Sequence, residues 1–486
     1  MRKAKFVLSG AASMLLIASA FATTFVTLPT WQIGSQPTAK QLEVKPKDLS
    51  LACPGAIVRL GGSNGVKIGE LDRIGTANIY FGSNLQGSQN LLLQVLQENQ
   101  PQKLGGGSLD SSYSRAQGSL LTVQDEAGSA KQSSNLLSAV QTQKLADETT
   151  SGLTGVSCQP ALYEQWVVGA DTTTGREAIL LLQNNTSVDA SVDVQIFTDG
   201  GQLESSAASG ISVPANDFAT LPLASFAPKA KAIALHITSR GAAIGAWVQQ
   251  RTTRGLARGG VEFIPAQKQA ETSLTIPGLF IRGSEAAQKL IQQNSDYQDL
   301  TPSLQVYVPG EVAANVTVQV VSSSEDAYGT VLKQTIDAGK INRFEIPGLL
   351  DGDYAILVDS DQPIFVEGQM SRVQASKSPD FAYLTPAELL TGDRATVVPA
   401  GTISRISLLN PSDEQVTVKL SGAYSASVVL DKFSATSLLL ASGQSLRISS
   451  DQPVASSIVI DAAGAVSVVP TLTYQNTGQT VSVLVR

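Results

Sequence analysis

The sequence reads as an all-β chain, with tandem immunoglobulin-like β-sandwich domains behind an N-terminal transmembrane or signal helix. Three observations carry this. Beyond Cys158 the chain is written in short apolar runs rich in Val, Ile, Leu and Thr, broken by Gly, Asn, Asp and Pro, which is how sandwich strands and their turns are spelled. The same order of runs recurs three times, as duplicated units require. And the first thirty residues hold one apolar stretch behind a basic start.

That start comes first in the chain. Arg2, Lys3 and Lys5 precede the uncharged residues 6–28, long enough to cross a bilayer as a helix. Positive charge before the segment predicts an N-terminus inside and everything downstream outside. Ala18-Ser19-Ala20 and Ala20-Phe21-Ala22 offer small-residue cleavage patterns, so a cleaved signal peptide and a signal anchor both remain readings of residues 1–30. Residues 31–155 then read as a polar spacer and a partly ordered, Cys-containing N-terminal region. Its Gln, Ser, Gly and Asn content and the Gly105-Gly106-Gly107 run suggest long loops. Two helix-like pieces, 90–97 and 133–145, and one strand-like piece, 119–123, interrupt it.

Three sandwiches follow, at 156–268, 269–391 and 392–486. Each opens on an apolar strand: Leu180-Leu181-Leu182-Gln183-Asn184, Leu304-Gln305-Val306-Tyr307-Val308, and Ile406-Ser407-Leu408-Leu409-Asn410. An alternating strand comes next, at 192–196, 316–321 and 416–420. In the first of these Val192, Val194 and Ile196 alternate with Asp193 and Gln195, the period of a half-buried strand. The sharpest internal match is Ser360-Asp361-Gln362-Pro363 against Ser450-Asp451-Gln452-Pro453. Asp and Pro there predict a hairpin turn between two strands. The piece 284–293 has helix-forming composition and reads as a spacer between the first two sandwiches.

Composition narrows the partners. Hydrophobic residues make up 42% and charged residues only 15% of the 486, against roughly 25% charged in an average soluble protein. A formal net charge of -7 repels a phosphate backbone, and no Lys/Arg cluster offsets it, so nucleic acid is excluded as an expected partner. The two cysteines, Cys53 and Cys158, sit in similar settings, Cys53-Pro54 and Cys158-Gln159-Pro160. In an exported chain they read as one disulfide.

Catalytic chemistry is sparse. His236 is the only histidine, and a triad would have to use it as base. No metal-ligand cluster and no phosphate-binding Gly loop is spelled out, and no cofactor is expected. The closest acidic pairs, Asp351-Gly352-Asp353 and Asp359-x-Asp361, read as turn residues. A glycosidase pair or weak calcium binding is the functional alternative there. Trp166 and Trp247 lie in apolar strands and read as core, while sugar stacking is the alternative for these two and for Trp31. Asn184-Asn185-Thr186 and Asn315-Val316-Thr317 are sequons, and Asn184 at a strand end has an ordinary turn role.

Cys53-Pro54-Gly55, then Gly152-Leu153 before Cys158, Trp166-Val167-Val168-Gly169 and Leu180-Leu181-Leu182-Gln183-Asn184 form a pattern. It resembles an uncharacterised family of large secreted or membrane-anchored proteins of high-GC Gram-positive bacteria, classed only as a domain of unknown function. Gln183-Asn184-Asn185 stands where that family usually has an Asn-Pro turn, which Asn410-Pro411 retains. The resemblance implies an extracytoplasmic place and no catalytic residues. Together these readings lead to an expected function as a non-enzymatic cell-envelope structural or protein-interaction protein, touching the membrane through its N-terminal segment. Its expected partner is another envelope protein. A glycan- or cell-wall-binding module is the alternative, and a glycoside-acting enzyme the third reading.

Overall fold

A computed structural model describes residues 38–44, 48–60, 71–83, 90–98, 100–104, 111–124, 135–148, 150–204, 208–323, 330–375, 377–476 and 479–485. The expected export segment and Trp31 lie outside these. The chain divides into two units. The smaller contributes a two-stranded ribbon in which Thr38–Val44 pairs antiparallel with Gln479–Val485. The larger, Lys47–Thr477, is all-β, with one α-helix among its described residues, Ser284–Gln293.

Within the larger unit one strand pattern recurs. In the third repeat the seven strands run Glu271–Ile281, Ser303–Tyr307, Ala314–Ser322, Val331–Ile336, Ile341–Glu345, Gly352–Arg372 and Asp380–Leu384. The sixth is long because it serves two sheets. Its leading half pairs with the first and third strands, and the fourth flanks the third; its trailing half pairs with the second and seventh, and the fifth flanks the second. We call these the front and back sheets. The fourth repeat, Leu390–Val397 to Ala465–Pro470, repeats every pairing. So does the second, Glu164–Ala170 to Ala257–Pro265, except that its fourth strand is split in two and its sixth is broken into Ile233–Arg240 and Gly245–Arg254.

The region expected to be a partly ordered spacer holds a further copy. Leu49–Cys53, Ala77–Ser83, Asn90–Val95, Gln102–Leu104, Ser111–Arg115, the two halves Ser119–Gln124 and Asn135–Ala146, and Ser151–Ser157 pair in the same order. The described parts of the pieces 90–97 and 133–145 are therefore strands, Asn90–Val95 and Asn135–Ala146, where helices were expected. Their Leu- and Gln-rich composition favours a helix locally, but ladder pairing on both sides and burial of Leu91, Leu93, Leu137, Ala139 and Val140 override it. A helix forms at Ser284–Gln293 as expected, but inside the third repeat, between its first strand and its second, and not as a spacer between two sandwiches; Asp351 accepts from Gly283 N and Ser284 N at its start.

In each repeat the second strand pairs with the fifth and the third with the sixth, as in an immunoglobulin sandwich. The terminal strands differ from that order. The first lies on the sixth instead of the second, because the sixth runs on into the back sheet and takes the place beside the second itself. Ser360-Asp361-Gln362-Pro363 and Ser450-Asp451-Gln452-Pro453 mark this crossing. Ser360 faces Val316 in the front sheet and Phe365 faces Tyr307 in the back; Ser450 faces Val418 and Ala455 faces Leu409. The expected hairpin is thus a bend within one continuous strand. Gln362 N and Gln452 N donate to the serine hydroxyls two residues back, and the proline, which has no N–H, sits where the strand changes ladders. The second repeat breaks here instead, at Gly241, whose φ of 89° suits glycine.

Each repeat has its own core between its two sheets, for example Leu180, Leu182, Val192, Val194, Ile196, Leu235 and Val248 in the second. The outer faces are covered by neighbours. The front sheet of the first repeat (Ala52, Leu120) packs on the back sheet of the second (Ile179, Trp247, Phe263). The second packs likewise on the third through Val168, Phe197 and Ala234 against Tyr307, Ile341 and Phe365. The third meets the fourth through Leu357 and Ala355 against Leu409 and Ala455. Leu390–Val397 of the fourth returns to Ala77–Ser83 and Asn135–Ala146 of the first, with Tyr80 and Val140 joining the fourth repeat's core. The ring is closed by Tyr474–Asn476, which pairs with residues 135–137 of the first repeat.

Cys53 and Cys158 form the disulfide, with Cα atoms 4.6 Å apart and a sequence separation of 105. It ties the first strand of the first repeat to the chain leaving its last. A loop of that length is worth about 4–5 kcal/mol in lost unfolded-state entropy.

Candidate functional site at the centre of the ring

The seventh strands of the four repeats, Ser151–Ser157, Ala257–Pro265, Asp380–Leu384 and Ala465–Pro470, meet at the centre, each against at least two others. Small residues let them approach. A β-carbon added at Gly155 would meet Ser467 Oγ at 2.7 Å, and one at Gly260 would collide with Asp380 Oδ1. Three buried acids occupy this junction. Asp380 Oδ2 accepts from Leu153 N and Val466 N, both at 3.0 Å, so one carboxyl from the third repeat pins the first and fourth. Glu262 Oε1 accepts from Thr154 Oγ1 at 2.7 Å, Gly155 N at 3.0 Å and Phe263 N at 2.9 Å. Glu367 accepts from Thr385 Oγ1 at 2.8 Å and Gln267 Nε2 at 3.2 Å.

Burial decides the ionisation of all three. Desolvation raises Glu262 to about 8 and Asp380 to about 7, against hydrogen bonds that pull them down. It raises Glu367 well above the carboxylate range, with Glu262 nearby adding to the shift. The charged form lacks the solvation it has in water, and the surrounding donors do not replace it.

Beyond the C-terminal ends of these strands lies a pocket of about 580 Å³. Residues at or just beyond the end of each seventh strand line it, among them Pro160 and Leu162, Ala266 to Gln269, Thr385 to Leu389, and Pro470, Leu472 and Tyr474. A proline ends or closely follows every one of these strands, at 160, 265, 386 and 470, which stops the ladder and opens the end. Thr385 and Gln267 stand both in the pocket wall and on Glu367. None of the four linkers was marked by the sequence. The usable signals were Glu262 within the apolar run Val261 to Ile264 and the paired Gly259-Gly260 before it.

The residues singled out from sequence lie elsewhere. His236 Nδ1 is 2.9 Å from Gln195 Oε1, its Nε2 is 2.8 Å from Glu164 Oε1, and its ring stacks on Trp166 at 4.1 Å. Those contacts hold it flat on the front sheet of the second repeat. Trp166 also faces Phe197, Tyr307 and Phe365 between the second and third repeats, and Trp247 is 0% exposed. Asp353 pairs with Arg282 at 2.5 Å, Asp359 accepts from Ser273 Oγ at 2.9 Å, and Asp361 holds Asn315 N at 2.8 Å and Nδ2 at 2.7 Å. Each acid of the two pairs thus has a local structural partner. No group of His, Cys, Asp and Glu among the described residues is arranged to hold a metal ion. No helix among them is long and apolar enough to cross a membrane.

One sequence feature has the same role in two repeats. Asn184 donates to Val188 O and Val213 O and accepts from Thr186; Asn410 donates to Glu414 O and Asp431 O and accepts from Ser412. Both are 0% exposed. Asn410-Pro411 and Asn184-Asn185 are thus one structural turn with two spellings.

No curated protein and no solved structure matches the chain. A family model does, described as a family of unknown function, DUF5719, over residues 111–449. That match begins within the first repeat and ends within the fourth. The chain therefore belongs to the DUF5719 family of unknown function.

Proposed function

We propose that the chain is a non-catalytic scaffold of the cell envelope. In this reading residues 6–28 hold it outside the cytoplasmic membrane, or are cleaved to release it, and its ring of immunoglobulin-like repeats with exchanged terminal strands is presented to another envelope protein. The observation that carries the reading is where the polar chemistry is spent. Glu262, Glu367 and Asp380 are at most 2% exposed and bind neighbouring repeats. A glycoside-acting enzyme needs two carboxylates open to substrate, and these three are not. Glycan binding favours exposed aromatic platforms, and Trp247 and Trp166 are used between repeats. The disulfide supports an oxidising compartment.

Two measurements test the reading. In intact cells stripped of any outer layer, added protease should degrade the chain beyond residue 28; protection of the C-terminal repeats overturns the location. A photocrosslinking residue placed at the exposed positions Tyr163, Leu389 and Val429 should give a discrete protein adduct in those cells. Crosslinking to nothing at any position, together with turnover of a glycan substrate by the purified chain, overturns the scaffold reading.

A further inference from the structure

The pocket at the centre of the ring has a floor and a rim of different chemistry. Its floor is apolar, built from Leu162, Leu274, Leu472, Pro386 and Pro470, with Leu389 beside it 49% exposed despite the concave setting. Three polar side chains of its wall are already engaged. Thr275 Oγ1 donates to Ala387 O at 3.0 Å, Thr385 Oγ1 binds Glu367, and Gln267 binds Val366 O and the backbone of Trp166. The rim is charged and loosely held. Lys268 Nζ stands 4.0 Å from Glu388 Oε1 with both side chains more than half exposed, an arrangement worth little in water. Glu271 adds a second acid at the rim, on a chain whose formal charge is -7.

We propose that this pocket is the docking site for a peptide segment of the partner protein, with an apolar side chain seated on the floor and basic residues at the rim. The inference rests on the protein-interaction reading above and names its site. Size fits, since ligand pockets run from about 300 to 1,000 Å³ with mostly apolar walls and few polar groups. The loops of several repeats converge on one rigid centre, which is where scaffolds place binding residues. Charge selects the class: two rim acids against one base attract a basic segment and steer it in. The same acids repel a lipid phosphate. The floor offers a sugar few free polar partners, and the pocket's aromatic ring, Tyr474, is already faced by Lys268 at 5.7 Å.

The test titrates the full chain with two probes, acetyl-Lys-Leu-Pro-Leu-Lys-amide and acetyl-Glu-Leu-Pro-Leu-Glu-amide, by calorimetry at low and physiological salt. The basic probe is expected to bind about tenfold or more tightly than the acidic one, a difference of roughly 1.4 kcal/mol, with the gap narrowing as salt rises. Leu389→Asp, at an exposed position, should keep the circular dichroism spectrum and lose about tenfold or more of the affinity; Glu388→Gln should lose less and flatten the salt dependence. No binding of the basic probe by about 1 mM, equal binding of both probes, or affinity unchanged in Leu389→Asp overturns the proposal. So does saturable binding of maltohexaose or dioctanoyl phosphatidylglycerol that Leu389→Asp abolishes, since the pocket would then serve that ligand. Crosslinks from Tyr163 and Val429 that persist in Leu389→Asp cells, with no probe binding, would remove the pocket and leave the scaffold reading standing.

Discussion

Replacing Glu262 by Gln should change how stability depends on pH. Burial raises this carboxyl from 4.5 to about 8 in the folded chain, so the folded state keeps a proton that the unfolded state releases. The folded chain is then favoured below about pH 4.5 and loses that advantage as pH climbs through 8. A shift of about 3.5 units, at about 1.4 kcal/mol each, puts the loss on the order of 5 kcal/mol, an upper bound because Glu367 titrates alongside. Gln cannot ionise. Its carbonyl keeps the three donors that Glu262 Oε1 accepts from Thr154, Gly155 and Phe263, while its amide fills the place of the protonated oxygen. Urea denaturation followed by far-ultraviolet circular dichroism at pH 5, 7 and 8.5 measures the difference. Glu262→Gln should be equal to wild type or weaker by about 1 kcal/mol at pH 5 and more stable by roughly 2–5 kcal/mol at pH 8.5. A residual slope from Asp380 and Glu367 should remain in both proteins. Parallel pH profiles for wild type and variant would refute the argument, because the central carboxyl would then be charged in the fold or open to water.

Three further outcomes are expected. Gly260→Ala places a β-carbon against Asp380 Oδ1 and should cost about 1–3 kcal/mol in urea denaturation; in the Asp380→Ala background the added cost should shrink, as a double-mutant cycle would read. Asn410→Ala leaves the carbonyls of Glu414 and Asp431 without their donor and should cost about 1–3 kcal/mol, whereas Asn410→Asp, which keeps the acceptor side only, should not restore stability. The Cys53→Ala, Cys158→Ala pair opens the 105-residue loop and should lower the urea midpoint by an amount worth up to about 4–5 kcal/mol; reducing agent should then have no further effect on the double variant.

The third strand of each of the last three repeats was legible because it buries one face more than the other, so Val192, Val194 and Ile196 alternate visibly with polar neighbours. The first repeat was not legible. Residues 136–143 of its strand Asn135–Ala146 are buried on both faces, and a strand covered on both sides shows no period of two. Its Leu, Gln and Ser content then speaks for a helix that the neighbouring strands forbid. The Ser-Asp-Gln-Pro match at 360–363 and 450–453 was read correctly as equivalent chemistry but wrongly as a hairpin, since local hydrogen bonds to a serine specify a bend and not the ladders on either side of it.

By itself the sequence determined the β character of the chain, the recurrence of one strand order, the helix at Ser284–Gln293 and the pairing of Cys53 with Cys158. These depend on periods of a few residues, on composition, or on there being only two thiols. Tertiary structure alone decided that there are four repeats, that each closes on the next, and that Glu262, Glu367 and Asp380 share one centre. Those three acids sit far apart in the chain, each in an ordinary local setting. Only the packing of four strands against one another, two of them glycine-bearing, removes water from all of them at once, and desolvation is a property of the assembled neighbours.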